Sequence, residues 1–495
     1  MNSNKLLSFI IPVVAIIFGI WLIGETSALP ERLQIFALVA VFVLALIYLI
    51  KRSVPFDFKL IALLIVGYAF AGKGFAYISP AEPFYIGEIV FCCAGLGYIM
   101  RLYKGAKIFP TFSHVMIITW MIVVGLYLTS GYDRFGLVAI RDSAIGYYAA
   151  FALFGYTLFR HNDLDHIFGI ILKIAIFAAW IGSAVYAALG QAGQFGLLEA
   201  ASVIFSPHPD AYLPLVAAGG IYYLLIGIQQ KKLHLAGLGM ILLFALIGAK
   251  TAGIFSFVLV GGHCILVGKR KDLFLSMGLI ITILMLVVGI LIAAGVIESG
   301  HMLEDNEHLE AFGAGATTSG TTDWRIAWWT IVFEDAMAIN PVFGMGLGSD
   351  ITSSFLEQYM RMDIHSVDAA TYARYPHNVF FTVIGRLGIA GVTLFMFMVF
   401  TLYRTCAKVT RAAIAARDEA DRTALLAMLI FLAGLANGFV QATYEVPYGA
   451  ITNWFCLGYV IAYYQNQRQL RRASAPALHA FGRNNHVTQP QNPVL

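Results

Sequence analysis

Apolar runs of about 17–25 residues recur along nearly the whole chain, separated by short polar, basic or glycine-containing connections. Runs of that length cross the roughly 30 Å apolar core of a bilayer when helical. They are continuous and do not alternate apolar with polar residues, which excludes the strands of a transmembrane barrel. In lipid every peptide group must find a partner within its own segment, so each run predicts a helix. The expected spans are 6–23, 33–50, 59–77, 84–100, 111–129, 143–159, 167–189, 212–228, 233–249, 252–268, 273–296, 378–403, 423–442 and 447–464. The fold class is therefore an all-α integral membrane protein with about fourteen transmembrane helices.

Basic residues orient these spans. With the N-terminus inside, the inner connections and both tails hold twenty-two of the 32 Lys and Arg residues. These include Lys51, Arg101, Lys232, Arg270, Arg404, Lys408 and Arg468, as the positive-inside rule requires. The apolar stretch 6–23 is too long for a signal peptide and lacks a small-residue cleavage site, so it is read as a span. The composition, 59% hydrophobic and 12% charged, leaves too little polar surface for a soluble domain. The net charge of +4 reflects inner-face anchoring and gives no sign of nucleic-acid binding. Cysteines fall in spans or just inside, with no metal-ligand spacing, so neither a disulfide nor a metal is expected.

The chain divides into spans 1–11 (residues 1–296), one large outer loop (297–377), spans 12–14 (378–464) and a polar tail expected to be disordered (465–495). The loop opens acidic and then flexible. A helix is expected from near Asp323, ending at Asn340-Pro341, with Trp324, Trp328 and Trp329 suggesting a position at the membrane interface. Gly344-Met-Gly-Leu-Gly348 follows; no strand precedes it, so it reads as a turn with close backbone approach. The loop holds twelve acidic residues and three basic ones, Arg325, Arg361 and Arg374. The acidic group His301, Glu304, Asp305, Glu307 and His308 reads as a solvated face.

Charged residues inside spans are costly, by about 2.5–3.5 kcal/mol on insertion scales, so their position is informative. Here they gather toward the outer side: Lys73 with Glu88 as a possible pair, Arg134 and Arg141 bordering the sixth span, Lys250 in a short outer turn, and Arg386 two turns inside the twelfth span. His377 and Asn378 open that span. A helix N-terminus favours a neutral imidazole, which can accept a hydroxyl proton, and also attracts anions.

These residues carry a resemblance. Arg325 with Trp328, Asn340-Pro-Val-Phe-Gly-Met-Gly-Leu-Gly348, His377-Asn378 and Arg386-Leu-Gly-Ile-Ala-Gly391 resemble the signature of the O-antigen ligase and Wzy-type polysaccharide polymerase superfamily. The resemblance implies a glycosyltransferase of GT-C type in the bacterial inner membrane, with both termini cytoplasmic and the large loop periplasmic. It implies a glycan donor on undecaprenyl diphosphate and a glycan acceptor that is either lipid-linked or lipid A core, without metal or cofactor. Chain-length or export proteins are further possible partners. It assigns catalytic roles to His377 and Arg325 and diphosphate binding to Lys250; Arg386, Asn378 and Arg141, at the outer side, are further candidates for substrate or diphosphate binding. Two positions depart from the family pattern: Lys250 stands where an arginine is usual, and Arg386 where a glutamate is frequent. Within the family a polymerase is favoured over a ligase. A transporter or flippase is the alternative from another class; it predicts internal repeats, broken helices and charges near the midplane.

Overall fold

The computed structural model describes residues 54–76, 78, 85–106, 111–192, 208–246, 251–270, 272–273, 321–358 and 376–484. Among these residues there are helices and no strands. In chain order they are α1 (Phe56–Ala76), α2 (Ile86–Tyr103), α3 (Phe112–Phe135), α4 (Leu137–Asp142), α5 (Ala144–Tyr147), α6 (Ala150–His161), α7 (Asp165–Ala192), α8 (Pro209–Gln230), α9 (Leu233–Ala245), α10 (Thr251–Leu266), α11 (Thr321–Ile339), α12 (Ser353–Gln358), α13 (Val379–Ala413), α14 (Glu419–Gly438) and α15 (Pro447–Asn484).

Six of the expected spans appear as helices long and apolar enough to cross a membrane: α1, α2, α3, the Asp165–Ser183 part of α7, α8 and α13. The span expected at 143–159 is a pair of helices, Leu137–Tyr147 and Ala150–His161, bent by 41°. Those expected at 233–249 and 252–268 are shorter apolar helices. The runs 423–442 and 447–464 lie in α14 and α15. Spans expected at 6–23 and 33–50, and nearly all of 273–296, fall outside the described residues. The tail differs from expectation: α15 continues through the Gln-, Arg- and Ala-rich stretch after 464 to Asn484, since these are strong helix formers.

The helices start where local chemistry meets their free N–H groups. Thr111 and His114 form a reciprocal capping box on α3, and Asp418 accepts from Asp421 N (2.8 Å) at the start of α14. Lys231, in the left-handed region at φ 53°, turns α8 back into α9. Close contact is made through small residues: a Cβ on Gly227 would lie 2.3 Å from Ala236 N.

Helix α8 lies at the centre, with 89% of its apolar window buried, and α1 follows at 72%. The rings of Phe58, Phe159, Phe168, Phe455 and Tyr459 interlock edge-on where α1, α6, α7 and α15 meet. Helix α2 is only 17% buried and exposes Leu96, Ile99 and Met100, the pattern of a helix facing lipid.

Candidate active site

Asn378 caps α13, its side chain accepting from Phe380 N at 2.9 Å. Gly388 then breaks the helix, with φ 64° and ψ −164°. A break leaves peptide groups without helical partners, which is costly in apolar surroundings. The turn that follows Asn340-Pro341 supplies them. Met345 N donates to Gly385 O (2.8 Å) and Gly346 N to Arg386 O (3.0 Å), while Ile389 N and Ala390 N donate to Pro341 O (3.0 Å) and Val342 O (3.1 Å). Gly344 and Gly388 face each other so closely that a Cβ on either would lie 2.5 Å from the other's nitrogen. The glycine turn and the glycine-spaced span are thus two halves of one interlock.

A buried charge cluster holds this interlock to the bundle. Arg386 is 1% exposed; its guanidinium donates to Asp142 Oδ2, the same oxygen that accepts from Gly348 N at 3.1 Å. Asp142 ends α4, next to the exposed Arg141. Glu445 lies between α14 and α15, 3% exposed. Burial pushes its carboxyl up to about 8; the Thr382 hydroxyl and Arg386 offset this only in part, and Asp210 and Asp142 add to it. Asp210 is buried at the start of α8, where Thr443 Oγ1 (3.0 Å) and Asn437 Nδ2 (3.4 Å) donate to it and His208 Nδ1 lies 3.0 Å away.

Helix α11 packs on the first turns of α13, Val332 reaching Gly385, where a Cβ would lie 2.8 Å from it. Trp328 is buried, stacks on Phe355 (5.0 Å, 10°) and donates to Ile351 O (3.0 Å). Trp329 stacks on Phe381 (5.2 Å, 8°) and donates to Pro376 O (2.6 Å). The ring of Trp329 therefore holds the residues that lead into α13. His377 sits edge-on to Trp328 at 6.2 Å, with φ 51°. A positive φ costs a residue with a side chain on the order of 1–3 kcal/mol, and such strain gathers at functional sites. Arg325, half-buried, lies one helical turn before Trp328 and Trp329 and so shares their face. A recess of about 180 Å³ between α3 and the turn is lined by Tyr127, Arg134, Asn340 and Gly346 among others.

The structure sets His377 against Trp328 at the mouth of α13, with Arg325 one helical turn before Trp328 on α11. Arg386 and Asn378 lie just below, the first in an ion pair and the second in a helix cap. Arg141 is on the surface beside Asp142, and Lys250 falls outside the described residues. Glu88 accepts from Tyr148 OH (2.6 Å) and Tyr147 OH (3.3 Å). Sequence reasoning passed over Asp142 and Glu445. Each is a charge beside an apolar run at the same end of the bundle as Arg386, the one signal available.

Residues 235–396 match the family model described as O-antigen ligase. The match runs from α9 through the break in α13 and takes in Lys250, Arg325, His377, Asn378 and Arg386. It bears out the resemblance read from the motifs: residues 235–396 carry a domain of the O-antigen ligase/Wzy type. Together with the apolar helices, it supports a multi-pass membrane protein with an O-antigen ligase/polymerase-type domain. No curated protein matches the chain in sequence.

Proposed function

We propose that this protein transfers a glycan from an undecaprenyl-diphosphate carrier to the hydroxyl of an acceptor sugar at the periplasmic face, polymerising repeat units of a surface polysaccharide. The observation that carries this reading is the packing of His377 on Trp328, one helical turn from Arg325, at the mouth of a broken helix that lies within the family match. The acceptor oxygen attacks the anomeric carbon, and the bond from that carbon to the phosphate oxygen breaks. The electron pair leaves with the lipid diphosphate, and the hydroxyl proton passes to His377. Arg325, with Lys250 beside it in this reading, stabilises the charge that develops on the leaving diphosphate. A lysine there keeps the charge and gives up the bidentate grip of arginine.

Asn378 and Arg386 act as positioning residues in this reading. Arg386 clamps the glycine turn through Asp142, and Asn378 sets the start of α13 beneath His377. A neutral Glu445 keeps a further negative charge away from the diphosphate. The break in α13 does not favour a transporter, because the turn seals it with hydrogen bonds on both sides.

Replacing His377 or Arg325 by alanine, at normal membrane levels, is expected to lower product about 100-fold or more. Full retention of product would refute the assignment. Deletion of the gene separates the two members of the class. Lipid A core capped with single repeats supports the polymerase, whereas long lipid-linked chains that are never transferred mean a ligase.

A further inference from the structure

At the opposite end of the bundle, a crevice of about 650 Å³ opens between the start of α3, the second half of α13 and the middle of α15. Helix α13 outruns its apolar stretch and carries Arg404 and Lys408 to the crevice wall; α15 adds Arg468. No carboxylate lines the crevice, and none of the three cations pairs with one among the described residues. Each lies over an aromatic ring: Arg404 Cζ is 5.7 Å from the Phe400 centroid, Lys408 Nζ 5.4 Å from that of Tyr464, and Arg468 Cζ 5.8 Å from the same ring. Ring faces attract these cations and hold them in place without neutralising them.

The crevice is also open to lipid. Phe397 and Phe400 on its wall are 50% and 55% exposed, and Phe112 meets Phe397 edge-on at 5.9 Å. From there an apolar strip continues toward the bundle middle along Val115 and Ile122 of α3 and Met396 of α13, all exposed. Three unneutralised cations at the level where an apolar strip begins match a phosphate headgroup whose acyl chains descend along that strip. A soluble anion has no use for the strip, and a neutral lipid has none for the cations. The positive-inside reading sets this end in the cytoplasmic leaflet, whose surface is anionic.

We propose that the Arg404–Lys408–Arg468 crevice is a binding site for an anionic phospholipid, distinct from the glycan site at the other end and independent of its assignment. The headgroup phosphate accepts hydrogen bonds from the guanidinium and ammonium groups, as charge-assisted pairs. Its acyl chains pack on Phe397, Phe400 and Val115.

The test uses the purified full-length protein in a neutral detergent, with native mass spectrometry counting retained lipid. Dioleoyl phosphatidylglycerol is expected to be retained, and dioleoyl phosphatidylcholine to be lost. The triple variant R404Q/K408Q/R468Q is expected to bind phosphatidylglycerol about a hundredfold more weakly, at roughly a tenfold or less per charge. Should the triple variant fail to fold, the single variants Arg404→Gln and Lys408→Gln, both at exposed positions, are expected each to weaken binding several-fold. Arg325→Ala, at the far end, is expected to bind like the wild type. Equal retention of both lipids, or unchanged retention in the variants, overturns the proposal. So does displacement of the lipid by millimolar inorganic phosphate, which would mark a site for the free anion.

Discussion

At the basic end of the bundle, Asp57 meets Arg101 at 2.6 Å, His263 lies 2.7 Å from the Thr410 hydroxyl, and Tyr463 donates to Asp421 at 2.5 Å. At the turn end lie three buried carboxyls: Asp142 pairs with the buried guanidinium of Arg386, Asp210 is met by Thr443, Asn437 and His208, and Glu445 has no ion-pair partner among the described residues. The buried polar groups named at the first end are locally balanced, since each has a hydroxyl or one opposite charge. The second carries more acid than base, and one of its acids is held neutral by burial. A bundle that only had to span the membrane would need nothing beyond the first arrangement. Buried carboxyls in excess are costly unless protonated or paired. Their placement beneath His377 therefore points to a site that holds its own charge state, as functional sites tend to do.

The comparison can be broken by substitution. The largest effect is expected from Asp142→Ala, which strands a buried guanidinium and releases Gly348; such losses run about 3–5 kcal/mol. Thermal unfolding in detergent and membrane levels read it. Pairing it with Arg386→Met is expected to recover much of the stability, because no charge is then left alone. At the other end Arg101→Gln is expected to cost less, about 1.5–3 kcal/mol, since Arg101 is more exposed than Arg386 and a glutamine there can still donate a hydrogen bond to Asp57. An equal or larger loss there would erase the distinction between the ends.

Gly388→Ala tests the interlock. Its Cβ would lie 2.4 Å from Val342 O at a positive φ, so the turn and the break must separate. About 1–3 kcal/mol of strain is expected, with product formation falling more than membrane level does. The smallest effect belongs to Glu445→Gln and shows only in pH dependence. Because the folded Glu445 titrates near 8 rather than at the ordinary 4.5, its contribution to stability is full below about pH 4.5 and is lost as pH rises toward 8. The glutamine variant is expected to show a flatter stability profile from pH 5 to 8. It is also expected to keep transfer activity at alkaline pH where the wild type declines. Parallel profiles for the two proteins would remove Glu445 from the account.

Much of this was legible beforehand where the physics is local. The apolar runs predict α1, α2, α3, α7, α8 and α13 because a span is set by the hydropathy of consecutive residues. Asn340-Pro341 ends α11 after Ile339 because proline cannot continue a helix, and the glycines at 344, 346 and 348 all take positive φ as a tight turn requires. The match over 235–396 takes in the motifs that carried the resemblance.

The partners were not legible. Asp142 and Arg386 lie 244 positions apart, and no spacing rule links an acid ending one short helix to an arginine in another. Arg386, read in sequence as a contact for substrate, is almost wholly enclosed, because whether a charge near a span's end faces solvent or a neighbouring helix depends on packing. The grip of Trp328 and Trp329 on Ile351 and Pro376 has no signal in the helix's own spacing. The sequence by itself determined the apolar spans and the O-antigen ligase-type domain over 235–396, since hydropathy and short motifs are properties of neighbouring residues. Only the tertiary structure decided which charges are buried, that Glu445 is held neutral, and that the glycine turn closes the break in α13. Those outcomes depend on contacts between residues distant in the chain, whose desolvation exists only once the helices have packed.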